Sequence, residues 1–305
     1  MSQKIFAVGA GKGGVGKTFI SSSLALTLAK MNHSVLIIDF DLAGANVHTN
    51  LGIEPHNSSI QSFLNNEAAL VNLLQTTSLP RLSMVQGVWQ EWEHSECSSD
   101  QGRRMIEEIR KLPFEYVIID LGPGATPLNL EIFAQADEKI LITNAEPTSV
   151  EKTYRFFEAW ILNKISENST PEAYLQLKNT VKEFRAQKKK GLFSFRKYLN
   201  INAGISFDHF DELLSQPLHL IVNGCRSHQD QDLGFGIKSV CNKYFDLQID
   251  YLGHVDYDNA VWHSIINREP FLIAKPFTKL SAQFLSLAKS LIQSENHAIG
   301  YKDVV

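Results

Sequence analysis

Gly11-Lys12-Gly13-Gly14-Val15-Gly16-Lys17-Thr18 lies between the apolar run Ile5-Phe6-Ala7-Val8 and the helical pattern Phe19, Ile20, Leu24, Leu28. It matches G-x-x-x-x-G-K-[ST] in the context that the motif's mechanism requires: strand, loop, helix. Glycines let backbone N–H groups turn inward around a phosphate, and the N-terminal end of the following helix adds its positive dipole to the same anion site. Lys17 is placed to reach the β- and γ-phosphates and the Thr18 hydroxyl to ligate Mg²⁺. A glycine-rich turn with no ligand is the bland alternative. It leaves the lysine and hydroxyl that follow the last glycine without a packing purpose.

The loop holds a second lysine, Lys12, directly after its first glycine. With it the segment resembles the deviant Walker A box, K-G-G-x-G-K-[ST], of the MinD/ParA superfamily. In that family the signature lysine reaches the phosphates bound by the partner subunit of a nucleotide-sandwich dimer. The resemblance implies a P-loop α/β fold and an ATPase that binds ATP or ADP with Mg²⁺ and forms a homodimer around ATP. It assigns nucleotide contacts to Gly11, Lys12, Gly13, Gly14, Val15, Gly16, Lys17, Thr18 and Phe19.

Ser34-Val35-Leu36-Ile37-Ile38 reads as a strand buried on both faces, and it runs into Asp39-Phe40-Asp41. Carboxylates at the C-terminal end of such a strand point into the ligand crevice of an open α/β sheet, and strand alternation puts these two on one side. The stretch is similar to the D-x-D-x-G-x-x-N segment of MinD and its flagellar relative FlhG. On that match Asp39 lies near the signature lysine and the metal, and Asp41 orients the attacking water. Simple capping of the next turn is the alternative for Asp41. Tyr116-Val117-Ile118-Ile119-Asp120, followed by Leu121-Gly122-Pro123-Gly124, looks like a Walker B strand entering a switch loop. Asp120 would then hold Mg²⁺ together with Thr18 and Asp39.

Further along, Glu146-Pro147-Thr148-Ser149 is again similar to FlhG, although its residue types by themselves mark only a helix start. Leu218 to Asn223 is a strand ending in a residue that resembles the family's adenine-reading asparagine. The stretch around Val255 and Asp256 looks like the family's L-G-x-I-P-x-D segment beside the base, with Asp256 where proline is usual. Arg268-Glu269-Pro270-Phe271 and the last amphipathic helix also fit.

Alternating buried strands and helices predict a doubly wound, mostly parallel sheet with helices on both faces. The 305 residues suit one such domain, interrupted by a basic helical insertion at about 163–216, longer than an ordinary connection. From Lys178 to Lys197 eight basic residues face one acid, a local +7 that leaves −11 for the rest of a chain whose formal charge is −4. That balance excludes a global basic field of the nucleic-acid-binding kind. Within the insertion, Lys188-Lys189-Lys190-Gly191-Leu192-Phe193-Ser194-Phe195-Arg196-Lys197-Tyr198-Leu199 interleaves lysines with aromatics. Three roles compete for it: a helical insert whose aromatics pack on the domain, a docking surface for a protein or for DNA phosphates, and a membrane-surface helix with Leu192, Phe193, Phe195, Tyr198 and Leu199 in the interface.

Residues 55–96 are the least legible; helices are expected around Ile60–Leu64 and Ala68–Leu74, a strand at Leu82–Val85, and Trp89 and Trp92 as cover for a core edge. The opening residues contain no secretory pattern, and no apolar run is long enough for a transmembrane segment. Cys97, Cys225 and Cys241 are widely separated, which favours a reducing, cytoplasmic location with peripheral attachment at a membrane face or pole as its variant. The leading expectation is a partner-stimulated, slowly hydrolysing positioning switch with a cargo or activator protein. A non-hydrolysing scaffold, an ATP-dependent ligase and a metal-cluster carrier are its rivals.

Overall fold

The computed structural model describes residues 3–42, 44–56, 58–87, 98–167, 169–186, 194–204 and 216–299. Eight strands form one sheet: β1 (Lys4–Gly9), β2 (Val35–Phe40), β3 (Gln75–Thr76), β4 (Leu82–Val85), β5 (Tyr116–Leu121), β6 (Glu138–Thr143), β7 (Leu218–Cys225) and β8 (Asp250–Asp256). Their spatial order is β3-β4-β2-β5-β1-β6-β7-β8, and only β3 runs antiparallel to its neighbour. The doubly wound, mostly parallel sheet expected from the sequence is therefore present.

Alternation along the central strands splits the core into two layers. Ile5 and Ala7, Leu36 and Ile38, Val117 and Ile119 face one side; Phe6 and Val8, Val35 and Ile37, Tyr116 and Ile118 face the other. The second layer is covered by α1 (Lys17–Lys30) and by the last helix, Lys279–Ile299, with Phe284 and Leu287 buried against Leu24 and Leu28. The first is covered by α4 (Ser99–Ile109), α5 (Pro127–Gln135) and α6 (Pro147–Glu167). Two short helices, α2 (Val47–Leu51) and α3 (Ile60–Leu64), precede β3. Trp160 of α6 is fully buried and meets Phe133 edge-on at 5.6 Å.

Between α3 and β4 the structure differs from the periodicity. Leu70–Leu73 is a single 3₁₀ turn, not a helix over Ala68–Leu74, and Gln75–Thr76 pairs as an edge strand too short to show alternation. Trp89, Trp92 and Cys97 lie outside the described residues.

The insertion also needs a correction. Helix α6 continues to Glu167, with Ile165 in the same core as Ile161, so the departure begins several residues beyond 163. Two further helices follow, α7 (Pro171–Ala186) and α8 (Phe195–Ala203). Phe195, Tyr198 and Leu199 are not offered to a membrane: all three are buried. Phe195 and Tyr198 pack on Phe184 at 5.3 and 4.8 Å, and Phe195 meets Phe245 of the helix His228–Phe245 (α9) at 5.8 Å. Their i, i+3, i+4 spacing makes one apolar stripe, and that stripe found a partner inside the same chain. Lys188, Lys189, Lys190, Leu192 and Phe193 lie outside the described residues.

Candidate functional site

The C-terminal ends of β1, β2 and β5 meet where an open α/β sheet binds ligands. The glycine loop leaves β1 there and turns into α1 with Gly14 and Gly16 at φ +79° and +86°, values that side-chain-bearing residues avoid. Two of its glycines also answer to space. A Cβ on Gly11 would lie 2.2 Å from the Lys152 carbonyl oxygen of α6, and one on Gly16 would lie 2.1 Å from Asn223 Nδ2.

Lys17 is buried, its Nζ 2.8 Å from Asp120 Oδ1. That contact lacks hydrogen-bond direction, so the ammonium's donors are unused, an arrangement that a phosphate oxygen completes. Thr18 Oγ1 donates to Asp120 Oδ2 at 2.8 Å and Ser21 Oγ donates to Oδ1 at 2.7 Å. Asp39 and Asp120 are register partners on adjacent strands, and both are fully buried. Burial, then the neighbouring Asp120 charge, pushes Asp39 up to about 7, while N–H groups of Val47 and Asp41 and the Lys17 charge oppose the rise. Two such carboxylates beside one ammonium leave uncompensated negative charge. That donor set, with the Thr18 hydroxyl, fits a hard divalent cation such as Mg²⁺.

Asp41 Oδ1 accepts from Gly44 N at 3.0 Å, a cap on the turn that follows it, as the capping alternative has it; helix α2 begins only at Val47, with Asn46 as its N-cap. Asp41 lines a cavity of about 310 Å³ together with Lys12, Gly13, Lys17, Thr18 and Pro123. Lys12 turns toward its own chain: its ammonium pairs with the Glu146 carboxylate and donates to Thr148 Oγ1 at 3.2 Å. The Lys12 hydrogen bond and charge hold the Glu146 carboxyl below its ordinary range. The loop after β5 is pinned as well, because Gly124 N donates to Ala10 O at 2.9 Å and Asn129 Nδ2 to Gly122 O at 3.1 Å.

A larger cavity, about 800 Å³, adjoins the first at Gly14, Gly16, Phe19 and Ile265, and contains Asn223 and Asp256 in its walls. Asn223 Nδ2 donates to Val15 O at 2.8 Å, tying the end of β7 to the glycine loop. Phe19 rests edge-on against Phe284 at 5.4 Å. Val255, expected among the nucleotide contacts, is fully buried with its side chain in the core and lines neither cavity. Asp256 accepts from Lys279 Nζ at 2.5 Å; burial works against its charge, but the Lys279 and Gln283 hydrogen bonds win and keep its carboxyl low.

The sequence reading brought Glu146 and Thr148 forward only as a helix boundary, and it passed over Ser21 and Gly87. A Cβ on Gly87 would lie 2.9 Å from Asp39 Cγ, so this glycine closes over the buried carboxylate. One available signal was that an acid opening the helix after β6 must sit beside the end of β1, its sheet neighbour.

Comparison with known proteins agrees with this geometry. The ParA family model, described as NUBPL iron-transfer P-loop NTPase, matches residues 1–166. The chain is 28% identical over 174 residues to an uncharacterized ATP-binding protein of Methanocaldococcus jannaschii, covering 54% of this chain and 65% of that protein, just under two thirds of its length. It is 23% identical over 293 residues to the antiactivator FleN of Pseudomonas aeruginosa, covering 94% of this chain and 86% of FleN. Among solved structures, the septum site-determining protein MinD of Pyrococcus horikoshii, complexed with Mg-ADP, superposes with a TM-score of 0.66 at 21% identity, covering 95% of this chain and 96% of that one. As for the description's iron-transfer wording, Cys225 and Cys241 are both buried thiols in this chain.

Proposed function

The chain belongs to the ParA family of P-loop NTPases, and from that premise we propose an ATP-driven positioning switch that closes as a homodimer around two ATP molecules and reopens on slow hydrolysis. The observation that carries the reading is the convergence of Lys17, Thr18 and Ser21 on Asp120 beneath the glycine loop, beside two adjoining cavities. Loop N–H groups and Lys17 bind and orient the triphosphate, with Mg²⁺ held by Thr18, Asp120 and Asp39 supplying charge neutralisation when bound. Asp41, beside Lys12 in the smaller cavity, orients the attacking water. Lys12, once released from Glu146, reaches the partner subunit's phosphates. Hydrolysis is slow because catalysis here is positioning and charge stabilisation, which a partner protein can complete.

Positioning is supported by the names of two similar proteins, a septum site-determining protein of Synechocystis and a flagellum site-determining protein of Helicobacter pylori. The whole chain acts as one ATPase domain, and its basic insertion carries contacts to a cargo, to DNA or to an anionic surface. Among the described residues no helix is long and apolar enough to cross a membrane. Calorimetry with ATP and Mg²⁺, followed by size exclusion of Asp41→Ala, tests the scheme. Uptake by the wild type, with the variant trapped as an ATP dimer, supports it. No uptake ends it, and uptake with a variant that stays monomeric removes the switch. Phosphate release with and without a partner separates it from a non-hydrolysing scaffold.

A further inference from the structure

One face of α7 is half apolar and half cationic. Tyr174, Leu177, Lys178, Val181 and Arg185 follow one another at helical spacing, and all five line a cavity of about 330 Å³ shared with α5 and α6. Leu177 and Val181 are buried, and with Leu130 of α5 they give the cavity an apolar floor. Its lining has two cations and, among the described residues, no carboxylate. Lys178 lies over the Tyr174 ring, its Nζ 4.4 Å from the centroid, and has no acidic partner among the described residues. Arg185 holds Glu158 through Nη2 and Nε at 2.9 and 3.2 Å, which leaves its Nη1 donors unused among the described residues. A cavity of this size is at the small end of those that hold ligands. A bare phosphate would leave the floor uncovered and a neutral hydrocarbon would leave the cations unanswered, so the lining selects an anion with an apolar body. The remaining wall includes Ala125 and Pro127. They follow Gly124, whose N–H donates to Ala10 O at the foot of the glycine loop, so an occupant presses on the segment that borders the phosphate site.

We propose that this cavity is an effector site for a small anionic amphiphile, a medium-chain carboxylate whose chain lies on Leu130, Leu177 and Val181 and whose head group is taken by Lys178 and Arg185. Occupancy changes ATP affinity through Ala125 and Pro127, and by linkage ATP changes the affinity for the carboxylate by the same factor. The coupling rests on the nucleotide reading above; binding at the cavity does not.

The test is calorimetry on the full chain with decanoate, kept below its micellar range, and with decyltrimethylammonium, which has the same chain and the opposite charge. The wild type is expected to take up decanoate and not the cationic chain. Lys178→Ala should weaken decanoate by about 10-fold, the loss of one charge-assisted hydrogen bond. Ala159→Phe, which fills the cavity from α6, should abolish uptake while leaving ATP affinity measured without decanoate unchanged. Should that variant melt early, Lys178→Ala, at an exposed position, decides alone. Decanoate affinity with and without saturating ATP and Mg²⁺ should differ by about 5-fold or more. No decanoate uptake, equal uptake of the cationic chain, or wild-type affinity in Lys178→Ala overturns the site. Equal decanoate affinity with and without ATP, in a chain that binds ATP, overturns the effector role. Decanoate uptake by a chain that takes up no ATP upholds the site and ends the nucleotide reading instead.

Discussion

Replacing Gly11 by alanine separates the two reasons a phosphate loop uses glycine. At this position the added Cβ would lie 2.2 Å from the Lys152 carbonyl oxygen, 2.4 Å from its carbon and 2.9 Å from Thr153 N. All three are backbone atoms of α6, so no rotamer change relieves them. Ordinary contact needs roughly 1 Å more, and the loop and α6 must part by about that much. Overpacking of this kind costs about 1–3 kcal/mol, which for a chain of this size lowers the melting temperature by about 2–6 °C. The displaced loop also loses its aim at the phosphates. Gly14→Ala is the control, because nothing lies within 4 Å of its Cβ and the cost is only that of φ +79°, about 1–2 kcal/mol. Thermal melts with and without ATP, together with calorimetry, should show Gly11→Ala losing at least 10-fold in ATP affinity. Gly14→Asn, which tolerates the left-handed conformation, should recover most of the loss of Gly14→Ala, whereas no such replacement rescues Gly11. A Gly11→Ala protein that melts within 1 °C of wild type and binds ATP within about 2-fold would refute the packing argument.

Phe195→Ala should lower stability by about 3–5 kcal/mol in urea melts while ATP affinity holds, since the ring is buried against Phe184 and Phe245 far along the chain from the glycine loop. Unchanged stability would return that aromatic to the surface roles. Glu146→Gln should let ATP-dependent dimers form at lower protein concentration, because it removes the carboxylate that pairs with Lys12; sedimentation showing an unchanged or weaker dimer would contradict this. Burial pulls the Lys139 ammonium down to about 8 from 10.5, with Glu138 and Asp137 opposing. The native state therefore sheds this proton before the unfolded chain does, and stability should climb by up to about 3 kcal/mol between pH 8 and pH 10.5, staying at its lower level below pH 8. Urea melts at pH 7.5 and 9.5 should show the climb in wild type and its absence in Lys139→Met; a climb of the same size in the variant would assign it to another group.

What the sequence disclosed and what it concealed follow from distance along the chain. Lys17, Thr18, Asp39 and Asp120 were legible because each is tied to a local pattern, a glycine turn or an apolar strand ending in acid. Their partnership across 102 residues needed only the motif's logic. The Lys12–Glu146 pair was not legible as a contact, because 134 residues separate them and only the adjacency of β1 and β6 brings them together. Phe195, Tyr198 and Leu199 left three roles open for a related reason, and the packed insert among them is the one the structure shows. An apolar stripe among lysines looks the same whether lipid or Tyr244 and Phe245 will cover it, and those rings come nearly fifty residues later. The strand at Gln75–Thr76 is too short for any periodicity to register.

Helix α6 touches the glycine loop near its start, through Lys152 against Gly11 and Thr148 under Lys12, holds Arg185 of α7 at mid-length through Glu158, and leads into the insertion at its far end. At 21 residues it is a rod of about 30 Å. A tilt of a few degrees where the phosphates sit becomes a swing of about 1–2 Å at its far tip. The two extremities share one lever, and a load hung on either is weighed by the other.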